Sequence, residues 1–181
     1  MRLETERLVL RRWTEPADRD AFAAICQDPE VMQWLGGVID RAAAEARVDH
    51  AEATFDRLGH GRFLAERRAD AAFLGWCGVM PAHDTSPMAG EPEIGWRLVR
   101  DAWGQGYATE MARAALDDAF GRLGMDGVWA YTSTTNLRSQ AVMARLGMTR
   151  MPERDFDYAT APPDDPHRHA MVWIATPTGR R

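Results

Sequence analysis

Residues Glu93 to Glu110 read EIGWRLVRDAWGQGYATE, and this stretch decides the fold. Apolar Ile94, Trp96 and Leu98 alternate with Glu93, Gly95 and Arg97, which predicts a strand over 93–99 with two unlike faces. A short turn with glycines at Gly104 and Gly106 follows, and small Ala108 opens a helix. A strand that hands over to a helix through a glycine turn is an anion cradle. Glycine lets the backbone approach a phosphate, and the free N–H groups and dipole of the helix start favour negative charge. With no lysine in the turn, backbone donors must do most of that binding.

Working outward, helical spacing over 107–123 puts Met111, Ala114, Ala115 and Ala119 on one side, with Gly124 near the end. A strand is expected over 127–134, then a helix over 136–146 stopped by Gly147, then two strand-like segments flanking the loop 162–166. Upstream, one strand is predicted over 3–13, at or near a sheet edge. A helical region starting at Pro16 is interrupted at Pro29 and ends at Gly36-Gly37. Asp40 reads as the N-cap of a helix over 41–58, whose Val48, Ala51, Phe55 and Leu58 share a face. Strands over 62–67 and 72–80 join the one at Glu93 in an antiparallel meander. The expected class is α/β: a mixed, mostly antiparallel central sheet of about six to seven strands with helices on both faces, in a single domain over 1–181.

Composition narrows the chemistry. All 22 basic residues are arginine, so a pyridoxal Schiff base, a Walker phosphate loop and a kinase-type phosphate lysine are excluded. The net charge of -5 argues against nucleic acid or an acidic membrane as partner and accommodates a cationic substrate more easily. Cys26 and Cys77 cannot form a disulfide framework or a zinc site alone, and the N-terminal segment carries Arg2, Glu4, Glu6 and Arg7 instead of an apolar signal, so a reduced, cytoplasmic protein is expected.

A second constellation lies downstream, where the strand over 128–134 ends in Thr135-Asn136 and the next helix carries Ser139, Met143 and Leu146-Gly147-Met148. Asn136 suits an N-cap whose amide can also meet an amide-bearing ligand at the strand end, and Ser139 shares its helix face. Together with the glycine turn this resembles the GNAT superfamily of N-acetyltransferases, most closely its RimJ/RimL-like branch. T-E-R-L-V-L-R-R, V-M-Q-W-L-G-G, E-I-G-W-R-L, W-G-Q-G-Y-A-T-E, N-L-R-S and A-R-L-G-M occur in that branch's order, over nearly the whole chain.

The resemblance implies acetyl-CoA as cosubstrate, no metal, and a primary-amine acceptor, either a peptide amino terminus such as that of a ribosomal protein or a small molecule; a homodimer is left open. It implies a strand splayed from its neighbour, with backbone groups near Leu98 and Val99 pairing with pantetheine. The turn formed by Gly104, Gln105, Gly106, Tyr107, Ala108 and Thr109 would take the pyrophosphate, helped by arginines such as Arg100 or Arg138. Trp103 stands where many members carry Arg or Gln, as this branch tends to have it. Asn136 and Ser139 would approach the pantetheine and sulfur. Many members place a tyrosine as acid where this chain has Met143, which leaves Ser139 as the available hydroxyl and a poor acid. Glu93 is the preferred base, against a reading as a surface carboxylate paired with an arginine; His83 and Asp84 come next.

Other features take ordinary readings. His167 and His169 lack the further ligands that zinc needs. Cys77 sits among apolar neighbours as a small core residue. Trp34 is a candidate border of the acceptor cleft, and the acidic run Glu153, Asp155, Asp157, Asp164 and Asp165 is a solvated surface or an attraction for a cationic amine. Two alternatives stand beside acetyl transfer. One is a non-catalytic acyl-CoA-binding module. The other is a Rossmann-type nucleotide enzyme, weakened by Thr109 where a third glycine belongs.

Overall fold

A computed structural model describes residues 1–83, 86–159 and 161–177. The chain opens with a hairpin, β1 (Arg2–Glu4) and β2 (Leu8–Arg11), where one strand is predicted. Thr5 makes the break: its N–H donates to Leu8 O at 3.0 Å and its hydroxyl accepts from Leu8 N at 2.9 Å, closing a turn. Helix α1 (Pro16–Cys26) starts on a proline, and the short α2 (Pro29–Met32) is capped by Asp28. Helix α3 (Arg41–Leu58) begins at Asp40, whose carboxylate accepts from Ala43 N at 2.8 Å, and stops at Gly59 with φ 71°.

Strands β3 (Arg62–Arg67), β4 (Phe73–Pro81) and β5 (Pro92–Leu98) form the expected antiparallel meander. Then come α4 (Tyr107–Gly121), β6 (Val128–Ser133), α5 (Leu137–Arg145), β7 (Thr149–Arg150), β8 (Phe156–Asp157) and β9 (His169–Ala175). Among the described residues the sheet has nine strands in the order β1-β2-β3-β4-β5-β6-β9-β7, with β8 also on β9. The surplus over the expected six to seven comes from the split hairpin and from the segment before the 162–166 loop, where one strand is expected and two two-residue strands, β7 and β8, form, too short to show a side-chain period.

Alternation sorts the strands between two helical layers. Leu64 and Trp76 pack with Phe22, Cys26, Ala44, Val48 and Ala51 of α1 and α3. Phe63, Ala65, Cys77, Ile94 and Leu98 pack with Met111, Ala115 and Leu116 of α4 and Val142 and Met143 of α5. Each such large side chain contributes about 1.5–3 kcal/mol by leaving water. The class is therefore mixed α/β with helices on both faces. Its only parallel junction among the described residues, β5 with β6, is registered at the single pair Glu93 and Trp129. The remainder of β5 on that side has no strand partner among the described residues, so the sheet opens between the two strands.

Candidate active site

A cleft of about 1650 Å³ occupies this opening and reaches from the glycine turn to Glu93 and on toward α2. At the turn, Gly104 and Gly106 have φ of 74° and 82°, the left-handed region that glycine tolerates. Gly106 precedes α4 and offers no side-chain cap; the first intrahelical bond runs from Glu110 N to Gly106 O at 3.1 Å. The N–H groups of Tyr107, Ala108 and Thr109 therefore lack intrahelical acceptors, and all three residues line the cleft.

The turn is held from outside by the N-terminal hairpin. Glu110 accepts from Thr5 Oγ1 at 2.5 Å, from Arg7 N at 2.9 Å and from Arg7 Nε at 2.7 Å, while Arg7 Nη1 donates to Gln105 O at 3.0 Å. Burial works against this carboxylate, yet the bonds from Thr5 and Arg7 hold its pKa below the ordinary value. The T-E-R-L and Y-A-T-E motifs are thus one physical unit, and Arg7, which sequence reasoning passed over as a site residue, buttresses the turn.

On the opposite wall, Asn136 caps α5 by accepting from Ser139 N at 3.2 Å, and both residues line the cleft. Arg138 stacks 4.2 Å over the Trp103 ring, whose Nε1 donates to Leu98 O at 3.0 Å. Arg100 is engaged elsewhere, bonded to Asp28 at 2.6 Å and Glu30 at 3.1 Å. Of the predicted residues, Glu93, Leu98, Trp103, Gly104, Gly106, Tyr107, Ala108, Thr109, Asn136 and Ser139 meet in one cleft. Val99 and Gln105 are not in its lining: Val99 N is committed to Leu74 O, and the Gln105 side chain donates to Asp101 O.

Glu93 is no surface carboxylate. It is 8% exposed, on the α1 and α3 face of β5, with Arg62 Nη2 at 3.5 Å. Burial pushes its pKa above the ordinary value, against the opposing charges of Arg62 and His83. Two phenols missed in the sequence stand near it. Tyr131 is pushed up to about 12 by burial and then by the Glu93 charge, and Tyr158 is raised by burial, Tyr131 and Glu93. Both stay protonated at neutral pH. His83 lines the cleft, whereas Asp84 lies outside the described residues.

Trp34 does border the cleft: its Nε1 donates to Thr135 Oγ1 at 3.1 Å, and that hydroxyl also bonds His167 Nδ1 at 2.6 Å. His169 pairs with Asp157 at 2.9 Å, and among the described residues no cluster of three or more His, Cys, Asp or Glu is arranged to hold a metal. Asp155 is bonded to Arg150 and Asp157 to Arg168 and His169, so two of the five acidic residues are held in local pairs; Asp165 alone of the five lines the cleft. Cys77 is fully buried and its thiol is pushed up by desolvation. Among the described residues no helix is long and apolar enough to cross a membrane.

The family model described as acetyltransferase (GNAT) domain matches residues 7–149. The chain belongs to the GNAT acetyltransferase family. As an N-acetyltransferase of this family it is 30% identical over 147 residues to the uncharacterized protein YkkB of Bacillus subtilis, covering 81% of this chain and 84% of that one. An acetyltransferase crystal structure from Agrobacterium tumefaciens shares the GNAT fold at a TM-score of 0.79 and 30% identity, over 97% of this chain and 94% of that one. The fold is also shared with RimL, a ribosomal L7/L12 alpha-N-protein acetyltransferase solved in complex with coenzyme A. That match has a TM-score of 0.76 at 15% identity, over 97% of this chain and 98% of that one.

Proposed function

We propose that this GNAT acetyltransferase passes the acetyl group of acetyl-CoA directly to a primary amine held at the Glu93 end of the cleft, with no covalent enzyme intermediate. The observation that carries this is the placement of a buried, proton-avid carboxylate in the same cleft as an uncapped helix start behind a glycine turn.

Acetyl-CoA supplies the activated acetyl group as a thioester. The N–H groups of Tyr107, Ala108 and Thr109 suit its pyrophosphate, and Arg138, stacked on Trp103, adds a positive charge beside the turn. The unpaired edge of β5 suits the amides of pantetheine, with Asn136 and Ser139 on the facing wall. Glu93 takes the proton that an ammonium must lose before it attacks. A carboxylate with a raised pKa does this better near neutrality than an ordinary one. Tyr131 and Tyr158 are neutral donors near that carboxylate. A buried base favours catalysis over the binding-only alternative, which has no use for the cost of burying Glu93.

The test is thiol release from acetyl-CoA across a panel of amines that includes peptide amino termini. Turnover with at least one class is expected. Tight coenzyme A binding without thiol release for any amine would convert the protein into a binding module.

A further inference from the structure

The acceptor end of the cleft is unexpectedly rich in donors. On the α1 and α3 face, Trp76 lies opposite Arg97 in the β4–β5 register, and its ring crosses Gly95, where a Cβ would come within 3.2 Å. Arg62 stacks 4.6 Å from that ring on the way to Glu93, and Arg97 lies 5.3 Å from it and 5.6 Å from Phe22. Arg97 is 6% exposed and has no carboxylate partner among the described residues; its Nη1 donates to Cys26 Sγ at 3.2 Å, a weak acceptor.

Arg62 Nε, Trp76 Nε1 and Arg97 Nε are all buried without a hydrogen-bond partner. All are donors, and among the described residues no unpartnered buried acceptor side-chain atom accompanies them. They belong to residues that line both the cleft and a recess of about 30 Å³ opening between Trp76, Phe22 and Arg47. Arg47, exposed on α3, makes no ion pair among the described residues and adds its charge to Arg97. Burial, then the charges of Arg47 and Arg62, bring the Arg97 pKa down to about 10, the mark of a cation held where water is scarce and like charge is near. Among the described residues, Arg47, Arg62 and Arg97 outnumber the two carboxylates that line the cleft, Glu93 and Asp165. Water can satisfy a donor, but it does not offset that charge surplus, and each unmet buried donor is costly.

We infer that the acceptor is an amine that also carries a carboxylate, as amino acids do, and that Arg97 and Arg62, aided by Arg47, bind this carboxylate while the amine lies at Glu93. The inference rests on the reading of this cleft as an acetyl-acceptor site and narrows the acceptor within it. It also reverses the expectation drawn from the net charge of -5, because the local charge at the site has the opposite sign.

The experiment compares kcat/KM for matched pairs, glycine with glycinamide and phenylalanine with phenylalaninamide, by thiol release from acetyl-CoA. The amide has the less basic amine, so more of it is neutral at pH 7, and a preference for the acid runs against intrinsic reactivity. The wild type is expected to prefer the acid by at least about tenfold, since bonds to a charged partner are the strong ones. Arg97→Met should collapse the acid-to-amide ratio toward one. Arg47→Ala, an exposed position whose loss does not threaten folding, should lower the ratio severalfold.

Equal use of acid and amide by the wild type, or a ratio unchanged in Arg47→Ala and in any folded Arg97→Met, overturns the inference while leaving acetyl transfer standing. Absence of turnover with every amine, peptide termini included, overturns the proposed function, and the inference falls with it.

Discussion

At the Gly104–Gly106 end of the cleft the polar groups are chiefly backbone N–H groups set by two left-handed glycines and a helix start, with the Arg138 side chain adding a charge beside them. At the Glu93 end the described polar groups are side chains, delivered by α3, β3, β4, β5 and β6 and by the segments that carry His83 and Tyr158. The first end can accept any phosphate of the right shape, because backbone donors carry no side-chain identity. The second end is where selectivity lies, because exchanging one residue there changes the charge the acceptor meets. A backbone cradle is damaged by altering conformation, a side-chain site by altering chemistry, and the two should fail differently.

The largest effect is expected from Gly106→Glu. A side chain at φ 82° is strained by about 1–2 kcal/mol, and its carboxylate would compete for the donors meant for pyrophosphate. Coenzyme A affinity should weaken by more than about a hundredfold in calorimetry. Affinity that survives the change would show that the turn is not the anion site, and the contrast between the two ends would collapse.

Glu93→Gln attacks the other end. Coenzyme A affinity should hold while kcat falls on the order of a hundredfold, with the wild-type rise in rate with pH flattened. Stability should move the opposite way. The pKa of Glu93 is raised in the fold, so the native state holds its proton more tightly than the unfolded chain does. Wild-type stability is then lost as pH climbs from the ordinary glutamate value of about 4.3 through the raised one, and the glutamine variant escapes that loss. Thermal unfolding should show the variant gaining on the wild type between acid and neutral pH. An unchanged pH–rate profile would move the role of base to another group.

The same contrast explains what the sequence made legible. A glycine turn leaves a mark because only glycine suits a positive φ, and Asp40 and Asn136 leave marks because few side chains cap a helix well. The helix over 41–58 and the glycine turn are readable for these reasons, and the meander from strand-forming runs separated by turn residues. Arg62, Trp76, Arg97, Tyr131 and Tyr158 come from separate segments whose spacing has no period, so nothing local announces that they meet. Arg97 left one faint signal, an arginine on the Glu93 face of an otherwise apolar strand. The β1–β2 break was hidden because Thr5, Glu6 and Arg7 look like ordinary polar members of an edge strand.

Glu110→Ala tests whether the backbone end depends on its outer brace. It leaves Thr5 and Arg7 without their shared acceptor, and a stability loss of about 2–3 kcal/mol is expected at neutral pH by chemical denaturation. Because the folded pKa of Glu110 is lowered, its contribution is present above the ordinary glutamate value and is lost as pH falls through the folded value. The difference from wild type should therefore shrink in acid. A loss that is constant with pH would assign Glu110 a packing role and detach the hairpin from the turn.

Ser139→Ala is the smallest expected change and the finest probe of the boundary between the two ends. Its N–H is bonded to the Asn136 cap, which fixes the start of α5 in the wall of the cleft, and replacing the hydroxyl leaves that bond in place. A serine hydroxyl is too weak an acid to protonate a departing thiolate fully, and a thiolate leaves tolerably well on its own, because a thiol is a far stronger acid than an alcohol. What the hydroxyl can offer is one hydrogen bond to the sulfur, about 1 kcal/mol, so kcat should fall about fivefold with coenzyme A affinity preserved. A fall of a hundredfold or more would mean that α5 supplies a catalytic acid despite Met143, and the chemistry would then be shared by both walls of the cleft instead of resting on the Glu93 side.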